Sequence, residues 1–197
     1  MTQVFFGHIA GIGTREGTRI VVGYWPHSPF GAFADVMVEQ ADGQRVLLAP
    51  NAIVADFVAG TYVFDEVRME PVEVLPGDTW TVATPSLQAT YTPGRRLAVS
   101  YALRLVPGTV RRSASWARLI NPVAGALMPG VQTYGTAGNG RTEWYAASDV
   151  RAITACTAIW EGTDLGPLAP VTPPVRFGFG SAPAKPSLTA VTSFVRG

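Results

Sequence analysis

The side chains with which this sequence could do chemistry are few. Histidine occurs twice, at His8 and His27; cysteine occurs once, at Cys156, and lysine once, at Lys185. Zinc takes three or four protein ligands, chiefly imidazole and thiolate, so no zinc site is expected. No loop shows the alternating Asp/Asn pattern of an EF-hand, although a Mg²⁺ or Ca²⁺ site made of carboxylates alone stays open. Gly11-Ile12-Gly13-Thr14-Arg15-Glu16-Gly17 has the glycine content of a nucleotide loop. A dinucleotide site needs a helix after those glycines. The β-branched run Thr18-Arg19-Ile20-Val21-Val22 follows instead, so a hairpin end is expected and no cofactor. There is no G-x-S-x-G elbow for a nucleophilic serine. Lys185, between Ala184 and Pro186, lacks the desolvated setting of a Schiff-base amine. What remains is acid/base chemistry by His27, Asp35 or Glu143. Glu143 with Asp35 or Glu39 would form a carboxylate pair inside a barrel, provided burial raises one pKa.

Three stretches could position such groups. In Gly23-Tyr24-Trp25-Pro26-His27-Ser28-Pro29-Phe30-Gly31, two prolines fix backbone angles and extend the residues before them. Trp25, His27 and Phe30 then line the mouth of a pocket; alternatively Trp25 and Phe30 plug the end of a barrel and His27 faces water. The apolar connection from Trp116 to Gly130, with Leu127 and Met128, is far longer than a hairpin turn. Long connections in compact domains tend to be functional or interfacial, so it is either a lid over an apolar cavity or half of a dimer contact. In Glu143-Trp144-Tyr145, strand alternation puts Glu143 and Tyr145 on one face and Trp144 on the other. The candidate ligand contacts are therefore Trp25, His27, Phe30, Trp116, Leu127, Met128, Glu143 and Tyr145.

The elements that must hold these residues are mostly strands. Gly and Pro total 37 of 197 residues and cut the chain into short pieces. Leu97, Val99, Tyr101, Leu103 and Leu105 alternate with smaller or polar residues, which predicts a strand over Arg96–Leu105. Asp42-Gly43 and Asn139-Gly140, each between two strand-like runs, predict hairpins. Further strands are expected at Gln3–Ile9, Arg19–Tyr24, Phe33–Glu39, Gln44–Leu48, Tyr62–Val67, Pro71–Leu75, Trp80–Ala83, Val131–Thr136, Arg141–Ala147, Val150–Trp160, Val175–Phe179 and Leu188–Val195. Asn51 is placed to cap a short helix over Ala52–Ala59, with Gly60 as a left-handed stop. Ser115–Leu127 is expected to hold a helical turn broken at Pro122. The sum is an all-β or mainly β single domain over 1–197, with one or two short helices, folded as an antiparallel barrel or barrel-like sandwich.

Composition narrows the partners. Only 15% of residues are charged and the net charge is +1. Soluble domains carry about 25% charged residues, so apolar surface covered by a second copy is expected, and with it a homo-oligomer. A near-neutral chain has no electrostatic footprint for nucleic acid. No run of about 18 apolar residues spans a membrane, and the N-terminus has no signal-peptide pattern, so a cytoplasmic location is expected. Cys156 lies within the apolar run Ile153 to Trp160 and is read as a buried, inert thiol.

Gly23-Tyr24-Trp25 resembles the G-x-W triplet in the first barrel strand of lipocalins and related calycin barrels. The segment from Glu143-Trp144-Tyr145 through Trp160-Glu161-Gly162-Thr163-Asp164-Leu165-Gly166 is similar to the lipocalin-like sheets of carotenoid-hydratase-type proteins. The resemblance implies an apolar small-molecule pocket inside the barrel, with Trp25 closing its floor. The expected function is binding of a small apolar ligand. The alternatives are an interaction protein whose apolar loops form a homo-oligomer interface, and a hydratase or isomerase using carboxylate or His chemistry. No complete catalytic constellation is present, which weighs against an enzyme.

Overall fold

The computed structural model describes residues 2–127, 131–136, 140–178 and 182–197, and Leu127 by its backbone alone. Its chain order is β1 (Thr2–Thr14), β2 (Arg19–His27), β3 (Phe33–Glu39), β4 (Arg45–Ala49), α1 (Ala52–Ala59), β5 (Glu66–Met69), β6 (Glu73–Leu75), β7 (Trp80–Ala83) and β8 (Leu87–Arg96). Three helices follow, α2 (Ala98–Leu105), α3 (Gly108–Arg111) and α4 (Ala114–Leu127). The chain then forms β9 (Tyr134–Thr136), β10 (Thr142–Trp160), β11 (Thr163–Asp164), β12 (Leu168–Ala169) and β13 (Ser187–Arg196).

The thirteen strands form one sheet whose main path of ten, β5-β4-β3-β2-β1-β13-β10-β8-β7-β6, is curled into a half-barrel; β9 and β11 pair with β10, and β12 with β1. The pairs are antiparallel except β4 with β5, which run parallel across the α1 connection. The curl shows in the core. One apolar cluster joins Val36, Val38, Val46 and Leu48 to Trp80, Val82 and Leu87. In a flat sheet, the seven strand spacings from β4 to β7 would hold these groups roughly 34 Å apart. Even-numbered residues of β1 to β4 point into this concave core, and Trp80 stacks on Tyr91 within it. Odd-numbered residues face outward, where α1 and the segment around Val171, Phe177 and Ala182 cover Val21, Met37, Leu47 and Ala49. The inside-out alternation therefore places Trp25, Asp35, Glu143 and Tyr145 on the outer face.

The mainly β, barrel-like class expected from the sequence is what the structure has. The Asp42-Gly43 hairpin is present, with Gly43 at φ 92°. β9 pairs with β10 across Gly140, while Asn139 lies outside the described residues. Arg141–Ala147 and Val150–Trp160 prove to be one long strand, irregular between Ala147 and Asp149. The strand expected over Tyr62–Val67 begins later, at Glu66, and no strand forms over 175–178; Phe179 lies outside the described residues. Asn51 caps α1 as expected, its Oδ1 accepting from the Val54 N–H at 3.0 Å. Gly60 is not a left-handed stop, since its φ is −73°.

The largest departure is Arg96–Leu105. Most of it is helix α2, not a strand. Its apolar residues fit both periods: Val99, Ala102, Leu103 and Val106 stand at i, i+3, i+4 and i+7, the stripe of a helix. Turning that stripe toward the sheet, where it lines a cavity, leaves Tyr101 and Leu105 outside, 61% and 85% exposed. Ser100 fixes the choice. Its buried Oγ donates to the Val150 carbonyl and accepts from the Val150 N–H, both at 2.7 Å, tying α2 to β10. α4 is also longer than expected and runs through Pro122. The Asn121 side chain on that helix accepts from the Thr133 N–H at 2.7 Å, which holds the approach to β9 against it.

Candidate functional site

Two adjoining cavities lie on the outer face of the sheet. The smaller, about 50 Å³, sits between the outward residues of β1 to β3, β13 and β10 and the turn after α1. Its polar groups come from three directions. Asp35 arrives on β3, in register with Gly23 on β2, and accepts the Trp25 indole N–H at 3.0 Å. Glu143 and Tyr145 arrive two apart on β10, and Ser193 sits opposite Tyr145 on β13. Tyr62 swings in from the turn that closes α1, where its own N–H donates to the Val58 carbonyl at 2.9 Å.

These groups form one network. Tyr62 Oη lies 2.9 and 3.0 Å from the two oxygens of Glu143 and 2.7 Å from Tyr145 Oη. Ser193 Oγ donates to Glu143 Oε1 at 3.2 Å. An ionised carboxylate only accepts, so Tyr62 points its proton at Glu143. Burial pushes the Glu143 carboxyl above its ordinary range, and the hydroxyls of Tyr145, Tyr62 and Ser193 oppose that rise. Burial pushes Asp35 up to about 7, against the pull of the Trp25 hydrogen bond. Both phenols are held well above their usual value, first by burial and then by the Glu143 charge. Neither Asp35 nor Glu143 has an ion-pair partner among the described residues.

The larger cavity, about 310 Å³, is roofed by α2, α3 and α4 and floored by β10 and β13. Val99 and Leu103 enter from α2, Val106 from its C-cap, Trp116 and Ile120 from α4, and Val191 from β13. Arg111 is the one charged residue among its described lining, and its guanidinium donates to the Leu103 carbonyl at 2.9 Å. Ile9 and Tyr145 line both cavities.

Of the residues expected at a site, the structure brings Trp25, Glu143 and Tyr145 to the small cavity, and Trp116 and Tyr145 to the large one. Phe30 packs behind the small cavity, 5.9 Å from the Phe5 ring, without lining it. His27 is exposed at the end of β2 and lines neither cavity. The Leu127 side chain and Met128 lie outside the described residues. Asp35 and Glu143 do share a cavity, but outside the curled sheet rather than inside a barrel. Glu39 belongs elsewhere, buried with Arg19 at 2.8 Å. Trp25 closes no barrel floor; it lies on the outer face against Asp35 and Phe5. Sequence reasoning missed Tyr62, Ser193 and the α2 stripe. Tyr62 was assigned to a strand, and the helical spacing of Val99, Ala102, Leu103 and Val106 was the available signal for α2.

Compared with known proteins, the chain matches no protein-family model, no curated protein and no solved structure. Among the described residues no helix is long and apolar enough to cross a membrane.

Proposed function

We propose that the protein binds a small apolar molecule in the cavity between α2–α4 and the outer face of β10 and β13. The observation that carries this reading is a volume of about 310 Å³ walled by aliphatic and aromatic side chains with one charged residue. Ligand sites are typically concave, mostly apolar and a few hundred cubic ångströms in size. An apolar molecule entering such a space loses contact with water and gains contact with Val99, Leu103, Trp116 and Val191, at about 0.8 kcal/mol per buried methylene.

Calorimetric titration with 1-decanol tests it. Saturable one-to-one binding is expected. Ala102→Phe, which projects a ring into the space from α2, is expected to abolish it while leaving the fold intact by circular dichroism. Absence of binding to the unmodified protein contradicts the reading.

A specific surface feature supports a second reading. Tyr101, Leu105 and Leu119 stand exposed on α2 and α4, the last at 71%. Tyr101 and Leu105, one turn apart on α2, fit a homo-oligomer contact, since grouped exposed apolar residues mark interaction surfaces. Light scattering of the unmodified chain beside Leu105→Glu separates the two: a dimer dissociated by the substitution supports it, and a monomer at every concentration removes it.

A further inference from the structure

We propose that the small cavity is a cation site that takes the ammonium group of an apolar amine. This rests on the preceding reading for where the hydrocarbon lies, in the larger cavity. Three observations carry the cation site independently of that reading.

The first is missing charge. Asp35 and Glu143 are each 2% exposed and both line the cavity. A buried carboxylate is normally paired with a cation or coordinates one. Here the donors to these acceptors are neutral: Trp25 on Asp35 Oδ1, and Tyr145, Tyr62 and Ser193 on Glu143. No described residue donates to Asp35 Oδ2. Arg141, from the segment before β10, lies over the Phe57 ring at 5.2 Å and donates to Thr61 at 3.3 Å without reaching either carboxyl.

The second is the wall. Phe5, Trp25, Phe33, Phe57, Tyr62 and Tyr145 all line the cavity. Aromatic faces attract a cation through the ring quadrupole, and more so where water is excluded. An aromatic box with carboxyl groups in it suits an ammonium better than it suits an anion or a bare hydrocarbon.

The third is size and position. A water-sized group needs roughly 10–15 Å³ of cavity, so about 50 Å³ admits an –NH₃⁺ with the first one or two carbons of its chain. Ile9 and Tyr145 are common to both cavities, which puts the hydrocarbon of such an amine next to the apolar space.

The groups that titrate around a bound ammonium are Asp35 on β3, Glu143 and Tyr145 on β10, and Tyr62 after α1; the nearby charged side chain is Arg141. A cation beside Asp35 favours its ionised form, so binding below neutral pH releases a proton.

The test is calorimetric titration of the full chain with decylammonium, 1-decanol and decanoate, all below their aggregation concentrations, at pH 7.5. Decylammonium is expected to bind at least tenfold more tightly than 1-decanol. Asp35→Asn and Glu143→Gln are expected to remove that margin and leave the 1-decanol affinity unchanged. At pH 6, titrations in two buffers of different ionisation heat are expected to show about one proton released per decylammonium. Equal affinities for decylammonium and 1-decanol, tighter binding of decanoate, or a margin kept in both variants overturns the cation site while leaving the apolar cavity standing. If none of the ten-carbon probes binds, the reading of the large cavity fails, and propylammonium decides the small one. Saturation that depends on Asp35 then supports the cation site, and no saturation overturns it.

Discussion

Trp25 and Asp35 meet by a 3.0 Å hydrogen bond that passes directly over Gly23. Gly23 is the strand neighbour of Asp35 and lies two residues before Trp25, so all three share the outer face. A Cβ at Gly23 would stand 2.4 Å from Asp35 Oδ1 and 2.6 Å from Trp25 Nε1. The bare Cα is what lets the indole lie down on the carboxyl. Gly23→Ala is therefore expected to break this bond and to cost about 2–3 kcal/mol, in the range of overpacked cores. Urea denaturation checks it, and an unchanged midpoint contradicts it.

Asp35 also makes stability depend on pH. Its carboxyl titrates at 3.8 ordinarily and at about 7 in the fold. The folded state holds the proton between those values, so this contribution is complete below pH 3.8 and is lost as pH rises through 7. That displacement corresponds to roughly 4 kcal/mol. Glu143 acts in the same direction. His8, whose pKa burial lowers, acts in the opposite one, weakening the fold as pH falls below 6.5. Asp35→Asn keeps an acceptor for Trp25 and removes the titration. The stability difference, variant minus unmodified protein, is expected to grow in favour of the variant from pH 4 to pH 8. Chemical denaturation across that range reads it, and a pH-independent difference contradicts the burial argument.

Glu39 holds a different kind of buried charge. It is fully enclosed, and its oxygens accept from Arg19 at 2.8 Å, from the Arg176 side chain at 2.8 Å and from the Arg176 N–H at 2.7 Å. Glu39→Gln leaves the buried Arg19 guanidinium without its counter-charge. Breaking one partner of a buried pair costs about 3–5 kcal/mol, so a large drop in melting temperature is expected. A change of only a degree or two would show that Arg19 is solvated in another way.

Ser100 anchors the roof of the large cavity. Ser100→Ala removes both 2.7 Å hydrogen bonds to Val150 and takes this partner from the buried Val150 N–H, while the Val150 carbonyl keeps the Leu97 N–H at 2.9 Å. A cost of about 2–3 kcal/mol is expected. Hydrogen exchange should rise in α2 before it rises in β1 or β13. Uniform exchange across the chain would show that α2 is held by its apolar stripe alone.

β2 and β3 were legible from their β-branched runs and from the Asp42-Gly43 turn, although both of their faces are covered, Val22, Val36 and Val38 on one side and Val21 and Met37 on the other. Glu143 and Tyr145 were read correctly as sharing a face, because period two is local. Which face was core and which was site was not legible, since it depends on how the sheet curls. α2 was misread because Val99 and Leu103 satisfy a period of two and a helical period at once. The decision falls to Ser100 and Val150, 50 positions apart, a contact no local pattern encodes. The Asp35–Glu143 cavity was half legible: the pair was named, but Tyr62 and Ser193, which complete its network, reach it from the turn after α1 and from the last strand.

The central claim is that the space under α2–α4 receives an apolar molecule. The most direct measurement is a crystal structure of the protein equilibrated with 1-bromodecane, with the bromine located by its anomalous scattering. A peak bounded by Leu103, Trp116 and Val191 is expected. No peak there, with the cavity closed by side chains or the bromine found only on the outer surface of the helices, would contradict it.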